Sequence, residues 1–535
     1  MVLAGVAAIL LTEAFGDSVT VDEFAHLPAG LYYLRTGHFD LYRLSPPLLR
    51  EIAALPVLWA RPEGDFDRFT HAPEHWALGY HFMERNAVRY HGLFELARAP
   101  MVLLTLGLVG AVHGFARRHL GANAALGAAA LIGFSPTVLA HGHLVGTDVG
   151  CALGVFLAAW AALAALRRPG IGRTVVLGCA LGGAQLTKFS ALALYPALVL
   201  LALGAAYRTQ PRWRPLAVGA VAILLSLAIV NAAYLGQGSF TAAADLPLTD
   251  PVLRRVATSS LGHLPLPLPS DLVMGLDGQR AEASGVYPAY FHGTWARQGW
   301  WYYYPAALVL KETLPLLLLV LWGATVLIAR PRLLPRATLA TMLVPPALFA
   351  GMLIVASDIN IGVRYLLPVL PFLALISAVP LAPSAPRVAR RAAVALVTLH
   401  VLASVAATPH HLAYFNQLAG EPDGAYRWLV DSNLDWGQEL RHLERYLAAR
   451  GVSAVRLAYF GRAAPELYGI DYEIPRGPLT PGVYAVSANF LAGMPYFVWD
   501  HGTVYDVPAN TFVALQRLRP SAVLGRALFV YDIGR

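Results

Sequence analysis

The chain has 535 residues, 57% of them hydrophobic and 13% charged, with a mean hydropathy of +0.53. Soluble domains carry about 25% charged residues, so a soluble globular protein is excluded and a polytopic helical membrane protein is predicted. The net charge of +8 does not point to nucleic acid, because the basic residues fall in short clusters between apolar runs, the pattern that orients membrane proteins.

The first apolar run, Val2 to Leu11, is short against the roughly 20 residues a span needs. No basic segment precedes it and no small-residue cleavage site is evident, so it reads as a first helix rather than a removable signal. The loop 16–95 follows. In it Asp22 and Glu23 precede Phe24, Leu27, Leu31 and Leu34, spacing that predicts an amphipathic helix lying on the membrane surface. Gly37 and then Ser45-Pro46-Pro47-Leu48 are breakers that end it.

Further apolar runs lie near 99–115, 122–140, 149–166, 174–186, 191–206 and 216–234. After a second long loop, 236–300, come runs near 306–329, 339–356, 366–381 and 392–407. Basic clusters at Arg117-Arg118, Arg167-Arg168, Arg208 to Arg214, Arg330 to Arg336 and Arg387 to Arg391 each follow an even-numbered run. That alternation predicts about 11 transmembrane helices, a cytoplasmic N-terminus and long loops facing outward. Trp300, Trp301 and Tyr302 to Tyr304 mark an outer interface. The tail, 409–535, has mixed charge, a helix-like stretch Asp435 to Ala449, and β-rich runs at 455–460, 483–486 and 527–531. It reads as a small extracytoplasmic α/β module beside a membrane domain 1–408.

Chemistry is expected where charge meets this outer face. Asp22 or Glu23 can serve as a general base towards a hydroxyl, or both can be ordinary acids at a helix start. His141, His143 and Asp148 are candidate ligands, yet one glycine separates the histidines and no third ligand is evident, so a hydrogen-bonded pair is preferred and no metal site is assigned. Both cysteines, Cys151 and Cys179, lie in apolar runs, which argues against a disulfide framework and a cysteine zinc site. His26, His38, His71, His75 and His81 add outer-side imidazoles. Lys188 and Lys311 are the only lysines. Lys188 can hold a lipid phosphate as a point charge or snorkel to the headgroups; Lys311 can do the former or pair with Glu312. Arg364 offers a planar fork to phosphate, or anchors a span at the interface. Three isolated cations on one face favour an anionic lipid ligand.

The acid pair after the first run, the long first loop with Pro46-Pro47-Leu48, Thr147-Asp148 and Leu186-Thr187-Lys188 together resemble the polyprenyl-phosphate-dependent glycosyltransferases of the membrane GT-C architecture. The chain is similar to glycosyltransferase family 39, which includes protein O-mannosyltransferases and the aminoarabinose transferase of lipid A; the resemblance covers about residues 1–408. Leu429 to Gln438, LVDSNLDWGQ, resembles a recurrent signature of a bacterial subgroup. The resemblance implies inverting transfer of a sugar from a polyprenyl-phosphate donor to an acceptor protein, lipid or glycan, outside a bacterial inner membrane. It implies Asp22 as the base, Glu23 in support, Asp148 in the acceptor site, and Lys188, Arg364 and more weakly Lys311 on the donor phosphate, with His26, His141 and His143 as acceptor or supporting residues. It makes no cofactor certain and leaves a divalent cation open, since metal dependence varies within the class. The alternatives are a lipid-linked sugar transporter or flippase and a glycan-binding membrane protein.

Overall fold

The computed structural model describes residues 1–70, 73–284, 288–356, 358–500 and 503–534, so His71 lies outside the described residues. Each apolar run of the sequence is helical. Among the described residues seven helices are long and apolar enough to cross a membrane: Ala87–His119, Asp148–Arg167, Phe189–Ala206, Trp213–Ala233, Arg336–Val355, Val363–Leu381 and Arg387–Val405. Three more runs are bent pairs, which brings the number to ten if each pair is one span. The helix Ile171–Gln185, one of the eleven expected, has only 15 residues.

The bends fall where the apolar pattern hides a new helix start. Ala122–Gly133 and Pro136–Gly142 meet at 59°, and Tyr303–Lys311 and Leu314–Ala329 at 118°. In the first, Ser135 caps the amide of Val138 and Pro136 opens the helix; in the second, Thr313 caps Leu316 and Pro315 follows. A hydroxyl cap and a proline at the first turn start a helix whatever the hydropathy of its flanks. The two breaks are joined, since the Ser135 hydroxyl donates to the Glu312 carboxylate at 2.8 Å. The third bend, 92°, turns the N-terminal helix Val2–Gly16 into Val21–Thr36. The latter is helical where Asp22, Glu23 and the apolar spacing predicted, and Gly37, in the left-handed region at φ 70°, closes it; but Glu23 to Tyr33 are all buried, so it packs inside the protein instead of lying on the membrane surface.

The C-terminal residues form a mixed five-stranded sheet in the order Tyr472–Glu473, Val455–Ala458, Gly482–Ser487, Leu528–Ile533, Ala522–Leu524. The first three strands run parallel and the last two pair antiparallel. The helix Leu440–Arg450 begins five residues later than the sequence pattern suggested, after a tight turn at Asp431–Asn433. Packing crosses residue 409 freely: Leu440, Leu443, Val455, Leu457 and Leu528 share one apolar cluster with Phe24, Tyr32, Phe82 and Phe94.

Candidate functional site

Asp22 and Glu23 open the helix Val21–Thr36, and successive residues on a helix face different sides. Glu23 turns inward. Its carboxylate accepts from Arg98 Nε at 2.8 Å and Nη2 at 2.6 Å, from the Val145 amide at 2.9 Å, and from the amide and hydroxyl of Thr20 at 3.0 Å. The Thr20 contacts form a capping box, and the Arg98 contacts make a two-pronged ion pair with both partners buried. Arg98 also donates to the carbonyls of Ala14, Asp17 and Ser18, so it fixes the bend between the two helices.

Asp22 turns the other way, into a chain of alternating charge. Arg364 Nη1 lies 2.7 Å from Asp22 Oδ2 and 3.6 Å from Asp148 Oδ2, while Lys188 Nζ lies 2.5 Å from Asp148 Oδ1. Four separate elements supply these residues: the start of Val21–Thr36, the start of Asp148–Arg167, the loop before Phe189, and the turn Val363–Val369. Asp22 is the most exposed of the four at 21% of its side chain. Aromatic faces hold the cations, with Tyr365 4.2 Å from Lys188 Nζ and Trp436 4.2 Å from the Arg364 guanidinium. The structure therefore brings together Asp22, Asp148, Lys188 and Arg364 of the residues singled out from sequence.

Lys311 is held differently. Its ammonium donates to the carbonyls of Leu412, at 2.8 Å, and Asn433, at 2.5 Å, and Glu312 points to Ser135 instead of pairing with it. The three histidines are buried around the chain rather than in it. His26 Nδ1 donates to the Val145 carbonyl at 2.8 Å, and the His141 ring packs on Trp436. His143 sits between Asp17, 3.1 Å from its Nε2, and Glu13, 3.6 Å from its Nδ1; Glu13 also meets His411.

The stretch 429–438 supports this site directly. The Ser18 amide donates to the Gln438 carbonyl at 3.0 Å and the Val21 amide to the Trp436 carbonyl at 3.1 Å. On its other side Asn433 Oδ1 accepts from the Val363 amide at 2.8 Å, and Ser432 donates to the Ile361 carbonyl at 2.9 Å. LVDSNLDWGQ is thus a brace between the acid of residue 22 and the arginine of residue 364. Its own acids are pushed towards neutrality: burial raises Asp431 to about 6 against the Ser432 amide and the Arg364 charge, and raises Asp435 to about 7 against hydrogen bonds from Ser487 and Gly437. Arg98, Glu13, Asp17 and His411 were missed from sequence. A lone arginine heading an apolar run was the available signal for Arg98.

Residues 92–234 match the family model of the dolichyl-phosphate-mannose-protein mannosyltransferases, a segment that contains Arg98, His141, His143, Asp148 and Lys188. No curated protein matches the sequence. Among solved structures the chain is similar to ArnT from Cupriavidus metallidurans bound to undecaprenyl phosphate, with 13% identity, 99% of this chain and 98% of that chain covered, and a TM-score of 0.47. It is also similar to the archaeal oligosaccharyltransferase AglB from Archaeoglobus fulgidus in complex with an inhibitory peptide and a dolichol-phosphate, with 12% identity, 98% and 75% of the chains covered, and a TM-score of 0.48. Through residues 92–234, about a quarter of its length, the chain is similar to the dolichyl-phosphate-mannose-protein mannosyltransferases.

Proposed function

We propose that the protein transfers a sugar from a polyprenyl-phosphate donor to an acceptor hydroxyl at the extracytoplasmic face of a bacterial inner membrane, with inversion at the sugar carbon. The observation that carries this reading is the chain Asp22, Arg364, Asp148, Lys188. Two cations and two carboxylates in contact make a site that a phosphate can enter by exchange. The donor phosphate takes the guanidinium of Arg364 and the ammonium of Lys188, and Asp148 keeps both aimed. As Arg364 turns to the phosphate, Asp22 loses its counter-charge and becomes free to accept a proton.

The acceptor hydroxyl then attacks the anomeric carbon from the face opposite the phosphate. Its proton passes to Asp22, the new carbon–oxygen bond forms, and the bond to the phosphate oxygen breaks. Polyprenyl phosphate leaves with the electron pair, its developing charge met by Arg364 and Lys188. Glu23, with its acceptor positions filled, is a positioning residue that sets where Asp22 stands. His26, His141 and His143 shape the surrounding wall, and Lys311 holds the 412 and 433 carbonyls behind it.

The test is sugar transfer in membranes from labelled polyprenyl-phosphate sugars, comparing wild type with Asp22→Asn and separating lipid, protein and glycan products. Label entering one fraction with wild type alone supports the reading and names the acceptor class. Equal transfer by Asp22→Asn removes Asp22 as the base, and movement of donor across proteoliposomes without transfer replaces the reaction with transport.

A further inference from the structure

A second cluster of ligating side chains lies at the far end of the brace. His410 follows the last long helix, Arg387–Val405, and Glu439 and His442 stand one turn apart at the start of Leu440–Arg450. One ligand atom from each of the three lies within 4.8 Å of the others. The carboxylate of Glu439 stands between the two imidazoles, in contacts poorly aligned for hydrogen bonds. His442 Nδ1 is 2.9 Å from Glu439 Oε2 and His410 Nδ1 is 3.5 Å from Glu439 Oε1. Yet His410 Nδ1, His442 Nδ1 and Glu439 Oε2 are all buried without a hydrogen-bond partner. The Glu439 side chain is only 4% exposed, and a buried carboxylate needs a cationic partner in good geometry. Three groups able to ligate one cation therefore meet at a single point.

The backbone is shaped to hold that carboxylate. Gly525, at φ 52°, lies against it so closely that an added Cβ would sit 1.9 Å from Oε1, so any side chain there would displace the ligand. A surface recess of about 630 Å³ has His442 in its wall, with Pro409, Arg441, Glu444 and Arg445 beside it.

We propose that His410, Glu439 and His442 bind one divalent transition-metal ion of the zinc type, with water in the remaining position. Two imidazoles and one carboxylate are ligands that suit zinc. The ion joins the exit of the last membrane helix to the head of Leu440–Arg450, next to Gln438, whose carbonyl receives the Ser18 amide. It is a staple that holds the brace, and through it Trp436, over Arg364. The site stands apart from the sugar chemistry and does not depend on which acceptor is used.

The test uses the full-length protein in detergent, purified without a histidine tag, stripped with chelator and dialysed against zinc. Wild type is expected to retain about one zinc per chain with a raised melting temperature, and His442→Ala to retain less than about a tenth of an ion with no zinc-dependent shift. His442 is 17% exposed, and the elution profile checks that the variant is folded. Gly525→Ala, which removes no ligand, is expected to weaken zinc binding at least about tenfold. A wild type that retains less than about a tenth of an ion overturns the proposal, as does equal zinc in wild type and His442→Ala. Cobalt substitution gives an independent reading on the wild type alone: visible absorption bands that zinc displaces support the site, and their absence sinks it.

Discussion

Asp22 and Glu23 are consecutive residues whose carboxylates meet different arginines, Arg364 at 2.7 Å for Asp22 and Arg98 at 2.6 Å for Glu23. The first pair is part of an open chain of charges, and the second is sealed in the interior. One acid is therefore available to chemistry while the other is committed to architecture.

That division predicts opposite phenotypes. Asp22→Asn keeps its melting temperature and loses about 10²- to 10⁴-fold in transfer rate. Glu23→Ala leaves the buried Arg98 charge unpaired and is expected to lose about 3–5 kcal/mol of stability, measured by thermal unfolding in detergent. Normal stability in Glu23→Ala would contradict the committed role.

Asp148 contacts both Lys188 and Arg364, the cations assigned to the donor phosphate in the proposed reaction. Asp148→Asn is expected to bind polyprenyl phosphate at least as tightly as wild type while kcat falls, because Lys188 and Arg364 are released but no longer aimed. Titration with the lipid phosphate alongside single-turnover rates checks this. Weaker binding in a stable variant would show that Asp148 contacts the donor in another way.

Asp431 makes a pH prediction. Its carboxyl is raised by burial from 3.8 to about 6, so the folded state holds a proton that the unfolded chain releases at lower pH. The stability tied to that proton is complete below about 4 and is lost as pH rises through about 6. Asp431→Asn cannot lose it. Relative to wild type the variant should gain about 1–3 kcal/mol between pH 4 and 7, read as a widening melting-temperature difference; a constant difference would refute it.

Gly437 tests the brace. It sits at φ 88°, and an added Cβ would lie 2.7 Å from the Tyr459 hydroxyl and 2.9 Å from the Phe460 carbonyl. Gly437→Ala is expected to cost at least about 1–2 kcal/mol from the backbone conformation alone and to raise the donor KM by shifting Trp436. Unchanged stability and KM would mean that the brace tolerates movement.

The sequence carried the apolar runs, the helix after the first run, though not its burial on every face, and the four charged residues of the chain. Those signals are local: period, charge and breakers act within a turn or two. The bends at Ser135 and Thr313 were hidden because apolar residues flank them on both sides, and only the hydroxyl-proline start betrays them. Arg98 and the trio His410, Glu439 and His442 were hidden for another reason. Their meaning lies in partners brought together from distant parts of the chain, such as Glu23 for Arg98 and Gly525 for Glu439.

The hydrogen bonds from Ser18 and Val21 to Gln438 and Trp436 also set an order of events in biosynthesis. The amides of Ser18 and Val21 reach these partners only once the chain has been made as far as residue 438. The acid at 22 and the arginine at 364 thus come into register only after the last long helix is in the membrane. A nascent chain stalled before that point holds the long apolar helices without the brace that sets Asp22 against Arg364.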